Sequence, residues 1–250
     1  MPFTPAHVAA VLSFRKRAFF SFTGLVIGSM VPDYEYFLRM TLYGHYGHTL
    51  RGIWLFDLPV GVFLYVLYHA VVHRQLLAHM PPFLYRRFAC AAHFKWKSYF
   101  LSRFPVILLS VFIGTMTHFV WDGFTHDEEY YLARYLHVLL LPVHIMGYTI
   151  PWHILLQGLS SVAGLFILWV YIMRLPATGG NPEQGSRAIR RFWLIVLLLS
   201  IFIGIARWLM GMPDEKLIGQ LIVVSISSFQ LALIIVCGVL QLRQQSAPAA

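Results

Sequence analysis

The chain has 250 residues, 58% of them hydrophobic and only 12% charged, with a mean hydropathy of +0.67. A soluble globular domain carries about 25% charged residues, so this composition excludes an ordinary soluble fold and predicts a polytopic helical membrane protein. The net charge of +9 comes with no basic, aromatic-interleaved motif, so no nucleic-acid partner is expected.

The N-terminus is apolar from Met1 to Phe14 and turns basic only at Arg15-Lys16-Arg17. That order is the reverse of a secretory signal peptide, so the mature helices are expected to direct insertion. Residues 5 to 14 predict a short helix begun by Thr4-Pro5. Residues 18 to 31, with Gly24, Gly28 and Ser29, have the small-residue pattern of a tightly packed membrane helix ended by Pro32-Asp33. Residues 34 to 52 are polar, aromatic and Gly-rich. Ile53 to His73 predicts a span, with Asp57 and Pro59 in its first two turns. Residues 74 to 103 mix six basic residues with aromatics and read as interfacial and partly helical. Phe104 to His126 is a second strong span. Residues 127 to 151 start acidic and continue apolar around Pro142, which predicts an interfacial or re-entrant helix. Pro151 to Arg174, Phe192 to Met210 and Leu217 to Leu242 are further spans, and the tail from Arg243 is expected to be disordered. Cys90 and Cys237 form neither a disulfide framework nor a zinc finger and are expected as buried thiols on the membrane side.

The expected fold class is therefore all-α, a polytopic transmembrane bundle of about six membrane-embedded helices plus short interfacial helices. Its expected organisation is a metal-site core over 1–174, a cytoplasmic loop over 175–191 and a transmembrane hairpin over 192–242. Lys and Arg distribution sets the orientation. Arg15-Lys16-Arg17, six residues between 74 and 103, four between 174 and 191, and Arg243 make 14 of the 19 basic residues. Those regions hold one acid, Glu183. Positive loops stay inside, so they and both termini are expected in the cytoplasm of a bacterial inner membrane.

The chemistry-bearing residues fall at the other end of the spans. His118, Asp122 and His126 recur every fourth residue, so they share one helical face. Ionisable groups at membrane depth are costly and by default mark function. The orientation brings Asp33, His45, His48 and Asp57 to the same extracytoplasmic end. His7 joins them if residues 5–14 and 18–31 form a hairpin, with arms of about 15 and 20 Å. Each residue alone has a plainer reading. His118 and Asp122 can staple a helix end, Asp33 can cap a helix over 34–41, and His126 can face a helix C-terminus. Together, they are what a metal site needs.

The expected ligands are His7, Asp33, His48, His118 and Asp122, with His126 and His45 as second choices. Asp57 and His45 are the candidates for acid–base work. Mixed His/Asp ligation suits a divalent metal, zinc first, then manganese or iron. Such a metal lowers the pKa of a bound water toward neutrality. His69, His73, His79 and His93 fall on the expected cytoplasmic side, and His137, His144 and His153 beside the broken segment. These seven are left outside the site. Gln157, Ser160, Ser161 and Gly164 form a small-residue packing face, with Gln157 its candidate contact to the site.

Several of these segments resemble a family of bacterial membrane proteins of unknown function, domain-of-unknown-function group 4184. They are Met1-Pro2-Phe3-Thr4-Pro5-Ala6-His7, Gly28 to Asp33, His48-Thr49-Leu50-Arg51-Gly52, Phe56-Asp57-Leu58-Pro59, His118 to His126, and Gln157 with Ser160-Ser161. The likeness runs over about residues 1 to 242. The order His, Pro-Asp, His-[Ser/Thr]-Leu, His-x-x-x-Asp is also similar to membrane-bound metal-dependent hydrolases. More remotely, it is similar to the ligand order of zinc-dependent phospholipase C. The resemblance implies hydrolysis of an ester or phosphoester of a lipid or other amphiphilic small molecule. Two departures stand out. The hydrolases carry a longer His-Arg-Gly-x-Thr-His element, whereas here His45 and His48 are three apart. The second His-x-x-x-Glu pair of the phospholipases is missing, which argues against a full trinuclear site. Two other readings stand beside the hydrolase: a proton- or cation-coupled transporter through Asp57, His118 and Asp122, and a non-catalytic membrane scaffold.

Overall fold

A computed structural model describes residues 3–126, 135–145, 147–178, 180–211 and 216–246. Three short helices come first: α1 (Thr4–Phe14), α2 (Phe22–Gly28) and α3 (Tyr34–Arg39). Then follow α4 (Leu50–Ala78), the short α5 (Pro82–Phe88), α6 (Trp96–Asp122), α7 (Trp152–Met173), α8 (Ser186–Leu209) and α9 (Leu217–Ser246). Among the described residues, α4, α6, α7, α8 and α9 are long and apolar enough to cross a bilayer. The chain is an all-α integral membrane protein. Large apolar side chains stand outward on these helices, with Leu101 and Leu209 both 81% exposed, because acyl chains rather than water surround them.

The structure changes five expectations, one being that α9 continues to Ser246 where the tail from Arg243 is expected to be disordered. The span expected over 18–31 is absent: its helix is only α2, about 10 Å long against a hydrocarbon core of about 30 Å. Ser21 starts α2 late by accepting the Gly24 N–H, and Val31–Asp33 tightens into a 3₁₀ turn. The helix expected over 127–151 is instead, in its described part, a 3₁₀ turn (His137–Leu140) and an antiparallel hairpin of β1 (Pro142–Ile145) and β2 (Tyr148–Pro151). Gly147 takes the positive φ that its turn needs. Residues 127–134 lie outside the described residues. The helix carrying His118 ends at Asp122 rather than His126. His118 is therefore about 6 Å from the helix end, not the 12 Å implied by the longer span. Cys90 is exposed, while Cys237 is buried.

The chain divides into two compact units. The first comprises residues 1–33, 46–62 and 100–174. Its centre is the crossing of α2 and α6. A Cβ on Gly28 would lie 2.2 Å from the Val111 carbonyl oxygen, and one on Gly114 would lie 2.4 Å from that of Leu25. Only glycine on both helices permits this approach, the small-residue packing of membrane helices. Ser110 accepts the Ser21 N–H across the same crossing. Helix α7 holds α1. Its Gly164 packs against Ala6, and its Ser161 hydroxyl accepts the Phe3 N–H. The stripe expected as a packing face is one, and its Ser160 accepts a hydrogen bond from the Trp121 indole. Helix α6 is broken at Arg103, whose φ and ψ are non-helical, two residues before Pro105.

The second unit comprises residues 34–45, 63–99 and 175–250. Its core joins Val72 to Phe192 and Val196 of α8, and to Ala232, Val236 and Cys237 of α9. The Trp193 indole donates to the His79 carbonyl, and Gln220 of α9 bonds Thr41 and Leu42.

Both units contain part of α4, which has π-helical turns at Ile53–Asp57 and Tyr68–Val72. The first ends two residues before Pro59, which cannot donate a backbone hydrogen bond.

The glycine crossing makes a direct prediction. Gly114→Leu should lower stability by about 1–3 kcal/mol through overpacking, whereas Leu101→Ala should stay within about 0.5 kcal/mol. Thermal unfolding of detergent-purified protein followed by circular dichroism measures both.

Candidate metal centre

The site assembles from four short stretches of the first unit. Helix α1 brings His7. The 3₁₀ turn after α2 brings Asp33. The turn before α4 brings His48, and the last turn of α6 brings His118 and Asp122. Local chemistry fixes each. A Cβ on Gly47 would lie 2.2 Å from the Pro32 carbonyl oxygen, so this glycine lets the His48 turn lie against Asp33. Thr49 caps α4 by accepting the Gly52 N–H, which fixes the residue after His48. The α2–α6 crossing puts the Ser29 carbonyl 2.9 Å from Nδ1 of His118. A carbonyl only accepts, so Nδ1 carries the proton and Nε2 turns its lone pair inward. This is how ligand histidines are commonly oriented.

One donor atom each from Asp33, His48, His118 and Asp122 lies within 4.8 Å of all the others, a group able to hold a metal ion. His48 Nε2 is 3.3 Å from Asp33 Oδ1, 3.5 Å from Asp122 Oδ2 and 3.4 Å from His118 Nε2. His118 Nε2 is 3.6 Å from Asp33 Oδ1 and 3.2 Å from Asp122 Oδ2. Direct N–H···O bonds centre near 2.9 Å, so most of these approaches are long for hydrogen bonds. They match the edges of a tetrahedron about 2.0–2.1 Å in radius, which run to about 3.3 Å. Two carboxylates and two imidazoles with solvent exposures of 0%, 0%, 0% and 14% thus face a common point.

His7 is the next neighbour. Its ring stacks on that of His118 at 4.0 Å, and its Nε2 is 3.5 Å from Asp122 Oδ1. His126 lies further out. Its Nδ1 donates to the Asp122 backbone carbonyl at 3.1 Å and is 3.8 Å from Asp122 Oδ2. It closes the end of α6 as well as bordering the site. Asp57 is fully buried at the end of the π-helical turn, and that turn packs against the 3₁₀ turn carrying Asp33. His45 is placed differently. It belongs to the second unit and is exposed, its N–H donates to Glu35, and its ring meets Tyr43 edge-on. Two contributors escape sequence reading. The Thr4 hydroxyl donates to Asp33 Oδ2, leaving Oδ1 for the imidazoles, and the Ser29 carbonyl orients His118. Thr4 reads from sequence as a helix start, and a backbone carbonyl has no signature at all.

The charges are mutually dependent. Burial pushes the His7 imidazole down to about 3, with its neighbour His118 acting the same way, so His7 stays neutral. Burial also opposes protonation of His48, but hydrogen bonding and charge from Asp122 and Asp33 outweigh it and raise His48 to about 9. Burial alone would raise the Asp33 carboxyl, yet His118 and His48 hold it below its usual range. Burial lowers His126 despite the nearby Asp122 carboxylate.

Elemental analysis of purified protein should find about one divalent transition metal per chain. Asp122→Asn and His118→Ala should each lower that content by about tenfold or more, and His45→Ala should leave it unchanged.

A model of the family described as "Domain of unknown function (DUF4184)" matches residues 1–238. No curated protein and no solved structure matches the chain. With nearly the whole length covered by that one model, including every residue of the His/Asp centre, the chain belongs to the DUF4184 family.

Proposed function

We propose that this protein is a membrane-embedded, metal-dependent hydrolase that cleaves an ester or phosphoester of a lipid or other amphiphilic molecule. The convergence of Asp33, His48, His118 and Asp122 donor atoms, with approaches of 3.2 to 3.6 Å, carries this reading. Zinc suits this mixed nitrogen and oxygen set best, with manganese and iron next. When bound, such a metal supplies Lewis acidity and makes a coordinated water acidic enough to be deprotonated near neutrality.

The chain's own residues do the rest. His48 and His118 offer Nε2 to the site, with His118 locked in one tautomer by Ser29. Asp33 and Asp122 offset positive charge at the centre, and Thr4 holds the outer oxygen of Asp33. His7 stays neutral beside them, so its Nε2 presents a polar edge without taking up a proton. Asp57 is the assigned base or water-orienting carboxylate.

The substrate class follows from the surroundings. A cavity of about 570 Å³ runs along α6, lined by Ile113, Met116, Val120, Trp121, Phe124 and Leu156. Its size is that of a small-molecule site. Trp121 joins the two regions, lining the cavity with its ring 5.4 Å from that of His7. A polar centre beside an apolar groove suits a head group to be cleaved and an acyl chain to be held.

The site lies at the ends of its elements: Asp122 ends α6, and His48 precedes α4 by two residues. We read that as interfacial depth, where ester and phosphoester groups of lipids reside. We place the site on the extracytoplasmic side of a bacterial inner membrane. Residues 74–103 and 174–191, with Arg243, carry 11 of the 19 basic residues and one acid, Glu183, which favours the cytoplasm for them. If each of the five long apolar helices crosses the membrane, Leu50 and Ser246 lie on opposite faces. In this reading the segment bearing His7 and Asp33 lies outside, in place of the cytoplasmic N-terminus expected from about six spans.

Metal-loaded protein in detergent should hydrolyse members of a phospholipid and ester panel, and Asp122→Asn should abolish that turnover. Met116→Trp should lower kcat/KM for long-chain substrates about tenfold and leave short-chain ones within about twofold. Absence of any turnover removed by Asp122→Asn overturns the hydrolase reading. A reporter fused after Asn181 should lie in the cytoplasm, and one inserted at Gly44 should not.

A further inference from the structure

The second unit has a polar cavity of about 400 Å³ that the metal centre does not use. Its lining includes His69, His73, Arg74, Tyr85, His93 and Trp96, a set rich in N–H and O–H donors. We propose that this cavity binds a phosphate group, on a lipid head group or as a soluble anion. This proposal stands apart from the hydrolase reading.

The floor of the cavity is a buried pair. His69 and His73 are each 6% exposed, with their rings 5.3 Å apart. Aromatic rings enclose His69 on three sides: Tyr65 at 4.6 Å, Tyr68 at 5.0 Å and Phe94 at 5.2 Å. Among the described residues, neither ring nitrogen of His69 has a hydrogen-bond partner. An imidazole held in an aromatic box without a partner costs free energy unless something polar meets it. His69 lies in the second π-helical turn of α4, a distortion that often accompanies binding sites. The rim supplies charge through the exposed Arg74, whose guanidinium matches a phosphate in shape and sign.

A phosphate fits better than a metal ion. A guanidinium in the lining repels a divalent cation. Among the described residues, the ligand atoms of His69, His73, His93 and Glu183 also do not converge as those of the first unit do. Glu183 and Gln241 add acceptors to the same lining, which suits a partner carrying hydroxyl or ammonium groups beside its phosphate. The depth agrees. His69 to Ala78 close α4, Trp96 opens α6, and Gln241 is five residues from the end of α9. Three membrane helices thus meet the cavity at their ends, the level of lipid phosphates, where basic pockets between helices take anionic head groups.

Phosphorus NMR titration of the detergent-purified full chain tests this. One arm uses inorganic phosphate, and the other uses dioctanoyl phosphatidylglycerol in maltoside micelles, with phosphorus-free dioctanoylglycerol added as a competitor. Wild type should bind at least one phosphate probe, and the competitor should not displace it. His69→Gln and Arg74→Gln should each weaken that binding about tenfold or more. Arg74 lies on the exposed rim, so its variant carries the test if His69→Gln fails to fold. Binding of inorganic phosphate alone assigns a soluble anion. Lipid binding that excess inorganic phosphate does not displace assigns a head group. Both results support the site. Failure of both probes to bind, or wild-type affinity in Arg74→Gln, overturns it.

Discussion

Asp33 and Asp122 share one corner of the first unit with no solvent exposure at all. Two carboxylates buried side by side are intolerable unless positive charge or donors meet them from every direction. Much of the local architecture answers that demand. His48 and His118 lie between the carboxylates, His7 and His126 flank Asp122, and Thr4 satisfies the far oxygen of Asp33. The cluster is a cost to the fold and a group able to hold a metal ion. Removing one partner leaves an uncompensated buried charge, so charge balance and metal affinity cannot be varied separately.

The surrounding backbone is shaped to allow this. The imidazole of His118 meets the Ser29 carbonyl only because Gly28 and Gly114 let α2 and α6 approach to backbone contact. His48 reaches Asp33 only because Gly47 sits on the Pro32 carbonyl. Helix α2 is shortened by its cap and by the following turn, and the shortening puts Asp33 at the level of Asp122 rather than across the bilayer. A full-length span there would have separated the two carboxylates by most of the membrane thickness.

Much of this was legible in the amino-acid sequence. The fourfold spacing of His118 and Asp122 on an apolar helix, and the carboxylate after Pro32, follow from helix periodicity and from the cost of charge in lipid. The bilayer-length apolar runs mark the five long helices. Other features have no local signal. Whether 18–31 crosses the membrane depends on a side-chain cap at Ser21 that competes with an apolar pattern. His45 and His48 look alike in a Gly-rich loop, yet the structure assigns them to different units: His48 faces Asp33, while the His45 backbone bonds Glu35. His69 and His73 look like any histidines near a membrane surface. The π-helical turn and aromatic box around them arise only from tertiary packing.

The graded exposure of the centre has a kinetic meaning. Asp33, His118 and Asp122 are sealed, His7 is 1% exposed, and only His48 and His126 open outward, at 14% and 19%. The sealed residues sit on a glycine-locked helix crossing that has no slack, whereas His48 sits in the turn between two helices. An ion entering this group would meet His48 and His126 first and reach the carboxylates through them. Exchange would then depend on the residue 46–49 turn, and affinity on the tight crossing beneath it.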